Sequence, residues 1–277
     1  RQAEEANATK TRFVAAASHD LLQPLNAARL FASTLAERKD DPEVVEIAER
    51  IDSSMRAAEE VLDDMLDIAR LESGTMRTDI ADFSMDEIFE NIERQFTPLA
   101  TRRGLRLRVT KPRCRVRSDR VLLRRILQNL VSNALRYTQR GGVLVSCRRR
   151  GRFVELQVWD TGPGIPEKHQ RAIFDEFRRL DRSSPWGEKG LGLGLSICHR
   201  MALLLGHELG VRSNVGHGSV FSLRVPRSIA AEQPVTVVDD DERSATPATL
   251  VGLTALCIDN EPEILAGMKA LMSRWGV

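Results

Sequence analysis

The chain has 277 residues, of which 42% are apolar and 29% are charged, and its formal net charge is +2. This length is enough for about two domains with buried cores, and the near balance of charge gives no reason to expect a nucleic-acid partner. The cysteines at positions 114, 147, 198 and 257 are far apart and form no CxxC pair, which predicts neither a zinc site nor a disulfide framework and fits a reducing cytoplasm.

Residues 1–73 are predicted to be helical throughout. Pro42 suits the first turn of a second helix, and Gly74 suits its end. A single helical hairpin would leave the apolar faces of both helices exposed to solvent, so we expect two chains to pair into a four-helix bundle. Two seams alternate steps of three and four residues, as coiled coils do: Val14, Ser18, Leu21, Leu25, Ala28, Ala32 and Leu35, then Val44, Ala48, Ile51, Met55, Ala58, Leu62, Met65 and Ala69.

From about residue 76 the pattern changes to a mixture of helices and strands. Helices are predicted over 85–100, 120–138 and 194–205, and strands over 105–110, 142–150, 153–160, 208–214 and 219–226. This mixture predicts a two-layer α/β sandwich with a largely antiparallel sheet.

The C-terminal part is predicted to hold a linker and an incomplete domain. Residues 228–252 have the composition of a linker, and 254–260 with 261–276 form the strand and helix that open a parallel α/β domain. No apolar run is long enough to span a membrane and there is no signal peptide, so we expect no membrane contact from this segment. We also expect a further segment to precede Arg1.

His19 stands beside Asp20 in "ASHDLLQPL", residues 17–25. The seam spacing places His19 roughly 130° away from the seam's centre at about 100° per residue, so it is expected on the bundle surface. Pro24 removes the helical partner of the Asp20 carbonyl and bends the helix at this turn. A neutral imidazole is a good nucleophile, and Asp20 is placed to hold the proton on its other nitrogen. The alternative is that His19 is a solvent-exposed polar residue without a chemical role and that Pro24 only introduces a tolerated kink.

Four downstream segments together indicate a nucleotide site. In "NLVSNALRYT", Asn129 and Asn133 share a helix face and offer amide oxygens suited to Mg²⁺, while Arg136 suits a phosphate and Tyr137 a base. "DTGPGIP" (160–166) puts a carboxylate at a strand end, where it can accept a hydrogen bond from adenine, and "GLGLGLSI" (190–197) opens a helix whose N-terminus suits phosphates. "GHGS" (216–219) is a turn, and the polar stretch 174–189 is a candidate lid.

These motifs resemble those of the bacterial sensor histidine kinases over about residues 10–226. "FVAAASHDLLQPLNA" resembles the H-box, "ILQNLVSNALRYT" the N-box, "DTGPGIP" the G1 box, "IFDEFRRL" with Phe174 and Phe177 the F-box, and "GLGLGLSI" the G2 box. "SHDLLQPLNA" and "CIDNEP" are similar to the soluble, PAS-containing hybrid kinases. The resemblance implies a dimerisation and histidine-phosphotransfer domain at 1–73, a Bergerat-type ATP-binding domain at 76–227, a linker at 228–252 and the start of a truncated receiver at 253–277.

The resemblance also implies roles for individual residues. His19 is the phosphorylated group, Asp20 stands where glutamate is commoner, and Gln23 stands where the family usually has Thr or Asn to position a phosphatase water. Asn133 carries Mg²⁺ and Asp160 reads adenine. The ATP contacts it implies are Asn129, Asn133, Arg136, Tyr137, Asp160, Gly162, Gly164, Ile165, Phe177, Lys189, Gly190, Leu191, Gly192, Leu193, Gly194 and Gly218.

The implied activity is autophosphorylation of His19 from Mg·ATP, followed by phosphoryl transfer to an aspartate of a receiver in the same chain or in a response regulator. An upstream sensor domain and a bacterial cytoplasmic location follow from the same resemblance. One alternative is an ATPase of the gyrase or heat-shock chaperone kind, which would need a glutamate at position 129. The other is a non-catalytic dimeric scaffold that binds nucleotide.

Overall fold

The computed structural model describes residues 25–29, 31, 32, 35, 42–112, 114–176, 178, 192–228, 265 and 269. The chain forms two compact units, one of Arg1–Ala69 with Glu232–Val277 and the other of Arg70–Ala231. Among the described residues, no helix combines the length and the apolar character needed to cross a membrane.

Helix α1 (Pro42–Glu72) is the main element of the first unit and begins at the predicted proline. It ends as predicted, because Gly74 adopts a left-handed φ of 65° and the amide of Thr75 donates to the Arg70 carbonyl at 3.1 Å. The described residues from 25 to 35 are also helical. Arg29 Nη1 donates to Glu59 Oε2 at 2.7 Å, so the two helical segments lie side by side in the predicted hairpin.

The second unit is built on a five-stranded sheet with the order β2-β4-β5-β7-β6. β2 pairs with β4 in parallel, and every other neighbouring pair in this sheet is antiparallel, which confirms the largely antiparallel prediction. A separate antiparallel pair joins β1 to β3. In chain order the strands are β1 (Ile80–Ser84), β2 (Arg106–Val109), β3 (Arg115–Asp119), β4 (Gly142–Arg150), β5 (Phe153–Asp160), β6 (Glu208–Asn214) and β7 (Gly218–Pro226).

Three helices cover one face of this sheet: α2 (Asp86–Arg102), α3 (Arg120–Tyr137) and α4 (Gly194–Leu204). The apolar residues of β5 that face them, Val154, Leu156 and Val158, are fully buried. On the other face the side chains of β5 form a polar row, in which Trp159 Nε1 donates to Gln157 Oε1 at 3.2 Å. The predicted two-layer sandwich is therefore confirmed.

Candidate nucleotide-binding site

Helix α3 fixes the orientation of the amide pair. Asp119 caps its N-terminus, since the Asp119 carboxylate accepts hydrogen bonds from the amides of Val121 and Leu122 at 2.9 and 3.0 Å. The apolar side of the helix is completely buried in the core. Asn129 and Asn133 lie one turn apart and are half-buried. Their position is thus set by a helix that cannot easily rotate.

The N-terminus of α4 lies against this amide pair. A Cβ added to Gly194 would stand 2.9 Å from Asn129 Oδ1 and 3.9 Å from Asn133 Nδ2, so a side chain at 194 would occupy the space beside both amides. Gly192, two residues earlier, has a left-handed φ of 77°. Leu193 has its side chain in the core, which leaves only its backbone to face a ligand. The glycines therefore bring helix α4 close to Asn129 and Asn133.

Asp160, the last residue of β5, is held by two backbone amides. Its Oδ1 accepts hydrogen bonds from the amide of Gly162 at 2.8 Å and from the amide of Ser219 at 3.2 Å. Burial raises the pKa of this carboxyl above its usual range, and the hydrogen bonds from Gly162 and Ser219 offset part of that rise. The result is a partly buried carboxylate with a fixed direction.

The loop after Asp160 is held by the β6–β7 hairpin. The amide of Ile165 donates to Ser213 Oγ at 2.7 Å, and Ser213 Oγ donates to the Gly218 carbonyl at 2.8 Å. Gly164 has a left-handed φ of 73°, and a Cβ there would stand 2.1 Å from the Asn214 carbonyl oxygen. The loop geometry therefore depends on a glycine at 164.

The same loop meets the C-terminal end of α3. A Cβ on Gly162 would stand 3.4 Å from the Tyr137 carbonyl oxygen and 3.5 Å from Thr138 Oγ1. From Asn129 to Thr138 the helix rises roughly 14 Å at about 1.5 Å per residue. The amide pair and Asp160 thus lie at two ends of one line along α3. Tyr137 on this line is exposed and Arg136 is half-buried.

The start of the candidate lid is attached to α4. The ring centroids of Phe174 and His199 are 5.3 Å apart, and Arg200 forms an ion pair with Glu176. These contacts fix the segment up to residue 176. The predicted site residues His19, Asp20, Gln23, Phe177, Lys189, Gly190 and Leu191 lie outside the described residues.

Several residues of this site escaped the sequence prediction. Ser213 and Ser219 support Asp160 and its loop, and Thr161 Oγ1 donates to the Arg140 carbonyl at 2.8 Å. Ser213 is 48 residues away in sequence from its partner Ile165, so no local sequence pattern predicts the contact. Thr161 and Ser219 had a signal, because they belong to the "DTGPGIP" and "GHGS" motifs.

Two family profiles match the sequence. The His Kinase A (phospho-acceptor) domain matches residues 9–74, and the "Histidine kinase-, DNA gyrase B-, and HSP90-like ATPase" matches residues 118–229. Sensor histidine kinase RcsC of Salmonella typhimurium is 31% identical over 237 residues, which cover 84% of this chain and 25% of that protein. This chain belongs to the sensor histidine kinases.

Further comparisons agree with that family. The autoinducer 2 sensor kinase/phosphatase LuxQ of Vibrio vulnificus is 30% identical over 82% of this chain and 27% of its own length. The crystal structure of full-length ShkA in complex with AMPPNP superimposes with a TM-score of 0.65 and 25% identity, covering 96% of this chain and 54% of that one. The chain therefore spans about a quarter of the length of these curated kinases, and carries the phospho-acceptor and ATPase parts of a two-component sensor kinase.

Proposed function

We propose that this chain autophosphorylates His19 from Mg·ATP and passes the phosphoryl group to an aspartate of a receiver domain. The observation that best supports this is the line along α3, with an anchored carboxylate at one end and an amide pair beside a helix N-terminus at the other. A nucleotide has complementary groups in the same order, an amino-bearing base and a charged phosphate chain.

Asp160 is the proposed base-reading residue. Its Oδ1 already accepts from Gly162 and Ser219, which aims the carboxylate for a hydrogen bond from the exocyclic amine of adenine. The absence of a side chain at Gly162 leaves room for the base beside Tyr137 and Thr138. At the other end, the α4 N-terminus and Arg136 are the proposed phosphate contacts.

The amide pair fits a magnesium ion chemically. Amide oxygens are hard, neutral ligands, and Mg²⁺ usually keeps several waters and bridges phosphates. The space beside Gly194 that a Cβ would fill adjoins both amides. We assign the ion to Asn133, with Asn129 beside it. When bound, Mg²⁺ neutralises charge on the triphosphate; Asn133 orients it and Gly194 keeps the space open.

His19 is the proposed phosphoryl acceptor. Its imidazole attacks the γ-phosphorus, a nitrogen–phosphorus bond forms and the bond to the β,γ-bridging oxygen breaks. Asp20 holds the proton on the second ring nitrogen, so the attacking nitrogen carries a free electron pair. Gln23, one turn later, is the proposed residue for orienting a hydrolytic water.

The wider organisation follows the same proposal. Residues 1–73 form the dimerisation and phosphotransfer domain, 76–227 the ATP-binding domain, 228–252 a linker and 253–277 the start of a receiver. Two chains pair through their helical hairpins, an upstream sensor domain of PAS type biases the kinase, and the protein acts in the bacterial cytoplasm. The exposure of Ile51 and Met65 on α1, 41% and 43%, supports pairing, because these seam residues are apolar.

Incubation with γ-labelled ATP and Mg²⁺ tests the activity. We expect label that survives alkali and is lost in acid, and none in His19→Ala, while ATP binding stays unchanged. His169→Ala, a histidine in a short turn of the ATPase domain, is the matched control and should label normally. ATP turnover without retained label would instead support an ATPase, and binding without either would support a scaffold.

Asn133→Ala tests the metal assignment. We expect labelling to fall at least tenfold and Mg²⁺-dependent ATP affinity to be lost, because the amide oxygen is removed. Gln128→Ala lies on the same helix but hydrogen-bonds to Gln95 at 2.7 Å, away from the amide pair, and should label normally. Unchanged labelling in Asn133→Ala would show that another residue holds the ion.

A further inference from the structure

Two cysteines that are far apart in the sequence meet in the ATPase unit. Cys114 Sγ and Cys147 Sγ are 3.4 Å apart, a hydrogen-bond contact between two thiols separated by 33 residues. Cys114 is buried just before β3, and Cys147 is half-buried on β4. The distance between the two sulfurs has to shorten by only about 1.4 Å to reach the length of a disulfide bond, about 2.0 Å.

The two sulfurs have different chemical surroundings. The hydrogen bond between the two thiols lowers the pKa of the Cys147 thiol and raises that of Cys114; burial raises the Cys147 pKa and the nearby Arg149 lowers it. Cys147 is therefore the thiol of the pair that ionises more readily, and the thiolate is the form that attacks as a nucleophile. Cys114 remains the neutral partner within reach of the same sulfur.

We propose that Cys114 and Cys147 form a redox modification site that a hydroperoxide oxidises to an intramolecular disulfide. The Cys147 thiolate attacks one peroxide oxygen, the O–O bond breaks, and Cys147 becomes a sulfenic acid as the other oxygen leaves and takes a proton to form water. Cys114 sulfur then attacks Cys147 sulfur, the S–S bond forms and a second water leaves. In sum, two thiols and one hydrogen peroxide give one disulfide and two waters, with sulfur oxidised and peroxide oxygen reduced.

The cross-link would join the two sheets of the ATPase unit. The Cys114 carbonyl accepts from the Met85 amide at 3.1 Å, and strand β3, which begins at the next residue, pairs with β1. Cys147 pairs with Leu156 in the large sheet. Asp160 pairs with Val143, four residues before Cys147, which is roughly 13 Å along the strand at about 3.3 Å per residue. The disulfide should therefore stiffen the unit without altering the base-reading end.

Peptide mapping of the full chain after brief treatment with one equivalent of hydrogen peroxide tests the site. After alkylation and tryptic digestion, we expect residues 141–148 joined to residues 114–115, and we expect dithiothreitol to separate them. The melting temperature of the ATPase unit should rise on the order of 10 °C, because the link restrains the unfolded chain. ATP affinity should change less than twofold.

Three variants separate this reaction from nonspecific oxidation. Cys147→Ser should lose the cross-link, and Cys114→Ser should stop at a Cys147 sulfenic acid that dimedone traps. Cys198→Ala removes a buried cysteine that contacts the Ile126 carbonyl, and should cross-link as the parent does. Full alkylation of both cysteines after peroxide, a cross-link only after denaturation, or linkage to Cys198 or Cys257 instead would overturn the proposal.

Discussion

Burial disfavours the ionised form of the Asp160 carboxyl, and hydrogen bonds from two backbone amides fix its orientation. If it reads the adenine amine, Asp160→Asn should weaken ATP binding about 10- to 100-fold, since a hydrogen bond to a charged group is worth about 1.5–3 kcal/mol. Asparagine is chosen because it removes only the charge: its Oδ1 can still accept hydrogen bonds from the amides of Gly162 and Ser219. Calorimetric titration with ATP measures the effect, and unchanged affinity would place adenine elsewhere.

The same variant predicts a pH-dependent change in stability. The folded protein holds the Asp160 proton to a higher pH than the unfolded chain does, so ionisation costs stability as pH rises from about 3.8, the unfolded value, through the folded pKa. Asparagine has no such cost. We expect Asp160→Asn to melt higher than the parent at pH 7 and to lose that advantage near pH 3. An advantage that grows in acid would contradict this sign.

For His207 we expect the opposite pH dependence: its burial should make the protein less stable as pH falls. It is buried, with Nε2 and Ser118 Oγ 2.8 Å apart, and burial lowers its pKa, with the backbone of Gly206 offsetting part of the change. The unfolded chain therefore binds a proton first, and stability should fall as pH drops below about 6.5. Urea unfolding at pH 8 and pH 5 should show a steeper loss in the parent than in His207→Gln.

A matched variant on an exposed histidine checks that assignment. His217 lies on the β6–β7 turn and is exposed, so His217→Gln should keep the parent's slope between pH 8 and pH 5. Equal slopes in all three proteins would show that His207 does not cause the acid sensitivity.

The β6–β7 turn connects element geometry to the site. Gly216 and Gly218 both have left-handed φ, 80° and 93°. A Cβ on Gly218 would stand 1.9 Å from the Asp160 carbonyl oxygen, whereas a Cβ on Gly216 meets nothing within 4 Å. Gly216→Ala should cost about 1–2 kcal/mol of unfolding free energy for its backbone conformation alone. Gly218→Ala should cost more and should also weaken ATP binding, because the clash displaces Asp160. Equal effects of both variants would mean that glycine is needed at 218 for its backbone conformation and not to avoid the clash with Asp160.

The elements that sequence predicted best are those with strong periodicity. Helix α3 and strands β4, β5 and β7 begin and end within one residue of the prediction, because long apolar patterns define them. β1 and β3 were missed: "IADFS" is mostly exposed, and "RVRSD" buries a polar residue, Ser118, where the pattern calls for an apolar one. Their pairing joins residues about 35 positions apart, which no local pattern encodes.

At the candidate site, the motifs name residues that the fold brings close together, but they do not name every residue that supports them. Asp160, Gly194 and Ser219 stand in recognisable motifs, while Ser213 acts through contacts that only the folded sheet creates. The cysteine contact is a similar case. No CxxC motif links these two cysteines, yet β4 and the segment before β3 bring Cys114 and Cys147 together.

At the scale of the whole molecule, the proposed pairing of two chains uses the exposed seam of α1. Ile51 is 41% exposed on the seam, while Ser53, two residues later, lies on the opposite side of the helix. Ile51→Glu should therefore prevent pairing of two chains, because a charge would have to be buried in the four-helix core. Ser53→Glu adds the same charge on the other side and should leave the dimer intact.

Analytical ultracentrifugation distinguishes these outcomes. We expect a dimer for the parent and for Ser53→Glu, and a monomer for Ile51→Glu at micromolar concentration. ATP binding should be equal in all three, because the proposed nucleotide site lies within residues 70–231, a compact unit of its own. Lost ATP binding in Ile51→Glu would mean that the ATPase unit depends on pairing, and a monomeric parent would mean that the exposed seam serves another contact.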